Sequence, residues 1–527
     1  MRKRGVVGQL KSKRRAAGAL LTSVAMLAAL ATPAAAAPQN VQVTGPAPDQ
    51  FDLSSQMAVN PQNTTSLAVA FARDAKPSTS GLQNCWLALS SAGGALGSWS
   101  EIKVIGNDAD AKVHPLPNGT GEGTPGCQSP GVAYSPSGTT IYYVFQAPVR
   151  VIGNGGRFDY GFLYLTRSSD GGQSWSTPLL INADNPRPTG SGVTGGDWYP
   201  HISVDTKSAS PGTLYVSWIR YNQGFNSRAV AAAFSTNGGA SFSSSCAGCS
   251  STPVSPPGQT IAGMQQPGGG GEPNAVALDG RLCVAYGDYT ATQSSNGTTP
   301  PTVDVACTAS GTFTFNSPAI VGNVVNQTPA CAGFGTTAFN CGPIQQALTL
   351  ESGPCPIGQS CDPTKGEMAV SWADTQPTSN AIYTSVSGNG GATWPAPVVA
   401  ATPAASHQLF FPWVSVAPTN GRIDLNYYDL DTATACTPGV TGGSRRVFHL
   451  SSTTLGASWG TPVEETSTCS DNNVRPPTPA FGGPVPGRVV SVSISNFNDS
   501  IGWSDTRVAT TEADGPEAIF FAKDTSP

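Results

Sequence analysis

Six copies of a short turn recur through this chain at a period of about seventy residues. The clearest are SSDGGQSW at Ser168–Trp175 and SGNGGATW at Ser387–Trp394. STNGGASF at Ser235–Phe242 and STTLGASW at Ser452–Trp459 are weaker, and two decayed copies end at Trp99 and Phe315. The closing aromatics lie 76, 67, 73, 79 and 65 residues apart, so the array spans nearly the whole chain. Self-similarity at a fixed period marks a repeat architecture, in which each unit buries its apolar face on its neighbours. Few other folds remain open to such a chain.

Each unit reads alike. An apolar run such as His201–Asp205 leads through a glycine-containing turn to a second run that ends in an aromatic, as in Leu214–Trp218. A third run, such as Tyr164–Thr166, feeds the turn motif, and a fourth, such as Pro178–Ile181, follows it. Four short strands with period-two alternation and no helical pattern describe a β-propeller blade. The opening pair of runs occurs seven times, starting near Met57, Gly131, Ile202, Ala275, Ala347, Val414 and Val489. The second runs end near Phe71, Phe145, Trp218, Tyr286, Trp372, Tyr427 and Trp503. The last unit stops at Ala518–Ala522, one strand short, while Asn40–Thr44 is a strand without a unit. Joining the two closes a ring and leaves no open edge. The expectation is therefore an all-β, seven-bladed propeller sealed by an N-terminal strand. The alternative has six blades, with the last unit as an appendage.

The N-terminus predicts export. Arg2, Lys3, Arg4, Lys11, Lys13, Arg14 and Arg15 precede an apolar stretch, Ala16 to Leu30, that is short for a bilayer span, and Ala34-Ala35-Ala36 supplies the small residues of a cleavage site. Residues 1–36 are read as a signal peptide and 37–527 as a single propeller domain that is secreted and not inserted in a membrane. Removing the leader takes seven of 27 basic residues and no acidic ones, leaving 20 against 32, or −12. So acidic a chain, with no basic stripe, excludes nucleic acid as a partner. A monomer is expected. The 12 cysteines fall into close sequential pairs: Cys85–Cys127, Cys246–Cys249, Cys283–Cys307, Cys331–Cys341, Cys355–Cys361 and Cys436–Cys469. An even count in an exported chain reads as disulfides. The Cys246-x-x-Cys249 pair is read as a loop clip, since no second Cys/His cluster accompanies it as a zinc site requires.

In the turn itself the Asp170 carboxylate is positioned to accept bonds from backbone N–H groups two residues on, Gly172 permits positive φ, and Trp175 folds beneath. Asn237 and Asn389 keep the acceptor, and Thr454 weakens it. The form Ser-x-Asp-x-Gly-x-x-Trp resembles the Asp box of the sialidase superfamily of propellers, and the resemblance covers about Asn40 to Pro527. Sialidases have six blades, so seven is a departure. Their Arg-Ile-Pro signature would fall near Ser55–Ala58, where this chain reads SQMA.

Ligands of propellers gather where second strands end and first strands begin, an expectation by fold analogy. Here those positions carry Arg73-Asp74, Arg150, Arg220-Tyr221, Asp288-Tyr289, Asp374, Tyr428-Asp429 and Asp505 with Arg507 after second strands, and Asp197-Trp198-Tyr199, Glu272 and His407 before first strands. Residues that differ between repeats are the better candidates, because a lone site needs unlike groups. The resemblance then implies a substrate-carboxylate clamp of Arg73, Arg220 and Arg507, a Tyr428 nucleophile with Glu272 as its base, and Asp74 as acid/base. Asp288 and Trp198 join as substrate-binding candidates. No cofactor is expected. Asp108-x-Asp110 and Asp429-x-Asp431 are fragments of calcium loops without their glycine and distal glutamate. His114, His201, His407 and His449 show no zinc spacing and are read as satisfied loop histidines. The reading is a carbohydrate-directed exo-glycoside hydrolase acting on terminal acidic sugars. A non-catalytic glycan- or cell-wall-binding propeller is the alternative, and a polysaccharide lyase the second.

Overall fold

A computed structural model describes residues 40–45, 50–75, 83–105, 128–153, 156–182, 195–208, 211–221, 227–243, 252–253, 259–260, 273–288, 302–324, 348–376, 379–436, 443–471, 489–495, 498–505 and 518–524. All of them fall in the unit Ala37–Pro527. They contain strands and turns and no helix, hence none long and apolar enough to cross a membrane.

The first strand, β1 (Val41–Gln42), stands apart from the sheet that follows it, β2 (Gln50–Asn60), β3 (Asn63–Ala75), β4 (Gln83–Ser90) and β5 (Trp99–Ile105). Next come β6 (Gln128–Tyr134), β7 (Ile141–Gly153), β8 (Gly156–Ser168) and β9 (Leu179–Leu180), then β10 (Gly195–Val204), β11 (Leu214–Tyr221), β12 (Ser227–Ser235), β13 (Thr252–Pro253) and β14 (Gln259–Thr260). A further sheet holds β15 (Asn274–Val276), β16 (Leu282–Asp288), β17 (Thr302–Cys307) and β18 (Ala319–Asn323), and another β19 (Thr349–Gly353), β20 (Glu367–Gln376), β21 (Ser379–Ser387) and β22 (Val398–Ala401). The next comprises β23 (His407–Val416), β24 (Ile423–Asp431), β25 (Ser444–Ser452), β26 (Val463–Glu464) and β27 (Ser470–Asp471). The last comprises β28 (Val490–Ser495), β29 (Asn498–Asp505) and β30 (Ala518–Asp524).

Consecutive strands pair antiparallel within each sheet. The one parallel pairing among the described residues, β8 with β10, fuses the four strands β6–β9 and the five strands β10–β14 into a nine-stranded sheet. It arises because the β7–β8 hairpin runs on past Phe145, where the sequence reading ended the second run, and Arg150 lies inside β7 opposite Asp159. Gly161 permits the joint, since a Cβ there would collide with the Asp197 carbonyl. At the other end of the chain, β1 completes the last sheet: Val41 pairs with Phe521, Gln42 with Phe520, and the Val43 N–H donates to the Ile519 carbonyl.

The strands are buried on both faces, as β11 shows with Arg220 alone partly exposed, so they read as near-continuous apolar runs. The core lies between sheets. Ala68 and Leu87 pack with Val132 and Tyr143; Val144 and Leu163 with Ile202 and Trp218; Tyr215 and Val230 with Val284 and Tyr286. Val305 packs with Val370 and Trp372, Ile382 with Leu425 and on to Trp503, and Val490 and Ile519 with Met57 and Val69. Each sheet's first strand likewise touches the next: β2 with β6, β6 with β10, β10 with β15, β15 with β19, β19 with β23, β23 with β28, and β28 with β2.

The repeated turn keys these layers together. The Ser168 hydroxyl bonds Asp170 at 2.8 Å and accepts from the Gly172 N–H at 2.8 Å, while the Ser174 N–H donates to Asp170 at 2.9 Å. The Ser174 hydroxyl, with the Ser174 N–H and the Ser168 hydroxyl, holds the exposed Asp170 carboxyl down at about 2. Ser235/Asn237, Ser387/Asn389 and Ser452/Thr454 repeat the arrangement. Gly172, at φ +88°, sits so close to the previous sheet that a Cβ would lie 2.7 Å from Ile102 Cδ1. Disulfides Cys283–Cys307, Cys355–Cys361 and Cys436–Cys469 form as paired from the sequence, and fit an oxidising compartment. Cys85 is also disulfide-bonded. Cys127, Cys246, Cys249, Cys331 and Cys341 lie outside the described residues.

Candidate functional site

At the ends of the second strands two of the nominated arginines, Arg73 and Arg220, are already engaged. Arg73, on β3 directly opposite Asp52 of β2, binds Asp52 through Nε and Nη2, the latter at 2.7 Å, and Glu101 at 2.6 Å. Its guanidinium also lies 4.5 Å over the Trp86 ring. Arg220 repeats the geometry: it faces Asp197 of β10 in register, holds it in a fork of two 2.8 Å bonds, and Asp197 accepts a third from Asn182. A buried bidentate pair of this kind is strong when every lone pair is matched. His407 and Asp429 reverse the polarity across β23 and β24, with Nδ1 2.8 Å from Asp429 and Nε2 3.8 Å from Asp431. Asp431 also accepts from the Ala433 and Thr434 N–H groups, and Asp505 takes the Ser470 hydroxyl and the Trp503 indole N–H. The position one past the second-strand aromatic is thus followed by a charged brace in most sheets. Arg73 and Arg220 differ from the aspartates elsewhere in sign, not in kind.

Tyr428 lies in the core, its ring stacked on Phe410 at 5.2 Å and beneath the Arg445 guanidinium at 4.9 Å, and its hydroxyl donates to the Ser504 carbonyl at 3.2 Å. Trp198 is buried with Tyr199, Ile219 and Tyr221. Asp74 is placed on β3 opposite Phe51 and Gln83. Glu272 and Arg507 lie outside the described residues, as do Asp108 and Asp110. The structure brings no two of the clamp arginines onto a common group among the described residues.

The first strands carry a feature the sequence reading passed over. Ser129, Tyr199 and Phe411 have positive φ of 43°, 59° and 49°, each beside a break in the strand register. Each precedes a proline, Pro130, Pro200 or Pro412, which narrows the backbone further. Such strain costs about 1–3 kcal/mol per residue and persists where the surroundings enforce it, often at sites of function. The residues just after these bulges meet at the centre of the first strands. His201 and Trp413, from sheets that are not neighbours, bring their rings within 6.3 Å. Gln56 donates to the Ile202 carbonyl, Asn274 to the His201 carbonyl and Ser217, and Trp413 to the Ser491 carbonyl.

Two positions break the repeat in the third strands. In five sheets the second-strand aromatic stacks on a third-strand aromatic directly opposite: Phe71 on Trp86, Phe145 on Tyr164, Trp372 on Tyr383, Tyr427 on Phe448 and Trp503 on Phe520. Opposite Trp218 stands the small Ala231, and opposite Tyr286 stands a carboxylate, Asp304. Its carboxyl is buried, accepts from the Thr302 hydroxyl at 2.7 Å, and is pushed up to about 6 by burial, with the Asp288 charge adding to the rise. Aligning the third runs by their distance to the following turn would have exposed this substitution.

Two buried ionic clusters were also missed. Glu351 and Glu367 face Lys207, whose ammonium donates to the Ser352 carbonyl at 2.6 Å. Between β24, β25, β29 and β30, His449 sits in a strand rather than a loop, with Nε2 3.1 Å from Asp424 and Nδ1 2.8 Å from Asp524. Burial opposes a charge on this ring, yet the two aspartates outweigh it and hold the imidazole up at about 10. Asp499 and Glu465 border the same cluster.

No protein-family model matches the chain, and no curated protein sequence matches it. Among solved structures, a leech intramolecular trans-sialidase is similar at 12% identity over 74% of this chain and 67% of that one, with a TM-score of 0.44. Hadza microbial sialidase Hz136 is similar at 14% identity over 86% and 75%, TM-score 0.41. A GH93 α-L-arabinofuranosidase of Fusarium graminearum is similar at 12% identity over 75% and 93%, TM-score 0.38. Likeness at this level assigns neither a family nor a site.

Proposed function

We propose that this chain is an exported seven-bladed propeller that hydrolyses glycosidic bonds in neutral glycans, with Asp304 as proton donor and Asp288 as the second carboxylate. The blade count rests on the cyclic order of packing, in which seven first strands touch in turn and β28 returns to β2. Residues 1–36 are the export signal in this reading, and the strand after it, β1, closes the ring.

Asp304 carries the assignment. A general acid must hold its proton at the working pH, and burial that raises a carboxyl marks a candidate for that role. Asp304 is pushed up to about 6 by burial while half-buried Asp288 stands at the end of β16, two strand positions from the Tyr286 that Asp304 faces. The proton passes from Asp304 to the leaving-group oxygen, and Asp288 attacks the anomeric carbon or activates water. Glu272 is the other candidate for that second role, because Glu272-Pro273 repeats the Tyr199-Pro200 and Phe411-Pro412 pattern. A neutral sugar is favoured over an acidic one because Arg73 and Arg220 spend their charge on Asp52, Glu101 and Asp197.

The test is a panel of neutral and acidic aryl glycosides assayed from pH 4 to 8. Cleavage of a neutral member is expected, falling above pH of about 6 and dropping roughly 100-fold or more in Asp304→Asn. Cleavage of a sialoside that survives Asp304→Asn would restore the arginine-clamp assignment. Tight glycan binding with no cleavage would make the protein a binding module.

A further inference from the structure

The cluster around His449 has more acceptors than its neighbours can satisfy. Four carboxylates, Asp424, Glu465, Asp499 and Asp524, surround one imidazole and one guanidinium, that of Arg422, and all six side chains are buried. Arg422 and the Ser493 hydroxyl are spent on Asp424, and Asn426 and Ser415 on Asp499. Glu465, 1% exposed, keeps one carboxylate oxygen without a hydrogen-bond partner among the described residues, and so does the Asn426 amide oxygen. A buried carboxylate oxygen left without a donor is costly, and a bound cation would satisfy it.

We propose that His449 Nδ1, Asp524 and Glu465 bind a divalent metal ion, of the Mn²⁺ or Zn²⁺ class that combines imidazole with carboxylate ligands. Their ligand atoms all lie within 4.8 Å of one another. Asp424 is the positioning residue. At 3.1 Å from Nε2 it fixes the proton there, which leaves the Nδ1 lone pair turned toward Asp524 and Glu465. A carboxylate on the far nitrogen is the usual support of a metal-bound histidine, and its own partners, Arg422 and Ser493, hold it in place. In the metal-free chain a proton on Nδ1 bridges to Asp524; the ion replaces it, and that proton goes to solvent.

The location gives the ion a task. Asp524 ends β30, the strand on which β1 pairs, and Asn40 donates to the Glu465 carbonyl at 2.6 Å while accepting from the Ser467 N–H at 2.6 Å. Bound metal therefore ties the closing sheet to the β23–β26 sheet at the point where the N-terminal strand docks.

The probes are Mn²⁺, Zn²⁺ and Ca²⁺ added singly to full-length mature protein stripped with chelator. One equivalent of Mn²⁺ or Zn²⁺ is expected to bind with a Kd of micromolar or better and to raise Tm, with Ca²⁺ much weaker. Glu465→Gln and Asp424→Asn should each weaken binding roughly 10–100-fold. Glu367→Gln, outside the cluster, should bind as the parent does. Should either cluster variant fail to fold, direct metal analysis and Tm of the parent decide alone. Absence of stoichiometric binding and of any Tm change overturns the proposal, as does undiminished affinity in a folded Glu465→Gln.

Discussion

Replacing Glu367 with glutamine should stabilise the protein, and the gain should grow with pH. Glu367 opens β20 with a fully buried side chain, and neither carboxylate oxygen has a hydrogen-bond partner among the described residues. Burial, offset in part by the Lys207 charge, raises its pKa from 4.5 to about 9. Between those values the unfolded chain releases a proton that the folded protein retains, so folding stability from this group is full below 4.5 and drains away as pH climbs toward 9. At about 1.4 kcal/mol per pH unit, the penalty is about 3 kcal/mol at pH 7 and well under 1 kcal/mol at pH 4.5. Glutamine keeps the volume and removes the titration. Urea unfolding at pH 5, 6, 7 and 8, with the disulfides intact, reads the difference between variant and parent. The gap should widen by about 3–4 kcal/mol from pH 5 to pH 8. A gap that stays constant, or a variant that loses stability as pH rises, would refute the burial argument.

Arg73→Met should unfold the protein before it alters any substrate preference. It leaves the buried Asp52 carboxylate without its cation, a loss of about 3–5 kcal/mol that calorimetry would register as a large Tm drop. A fully folded Arg73→Met with weakened binding of an acidic sugar would show that the arginine is a ligand after all. Gly161→Ala should break the β8–β10 pairing, because the new methyl meets the Asp197 carbonyl, and amides near Gly195 should then exchange faster with deuterium. Unchanged exchange there would contradict the close approach.

Much of the fold could be read from the chain because its signals are local and repeated. Ser168, Asp170 and Gly172 build the turn from their own side chains and backbone, and Cys283 and Cys307 meet because β16 and β17 are adjacent hairpin strands. The orphan strand at Asn40–Thr44 was legible because the last unit lacked one. The length of β7 was not, since Arg150 reads as lying past the strand's end at Phe145 until the parallel neighbour β10 is known. The site was harder for a definite reason. Arg73 and Arg220 differ from their counterparts in letter, but the partners that show them to be braces, Asp52 and Asp197, lie across a strand pair whose register is a product of folding. Asp304 was concealed in the third strands, where only an alignment of stacked pairs shows that an aromatic is missing. The cluster around His449 draws on four strands and the segment after β26, and sequence spacing carries no trace of it.

A cross-link tests most directly whether the chain closes on itself through β1. Val41 and Phe521 are register partners, so cysteines at both positions should oxidise to an intramolecular disulfide, seen as one linked peptide in a protein that remains monomeric. Failure to link, or linkage only between separate chains, would contradict a ring sealed by its own N-terminal strand.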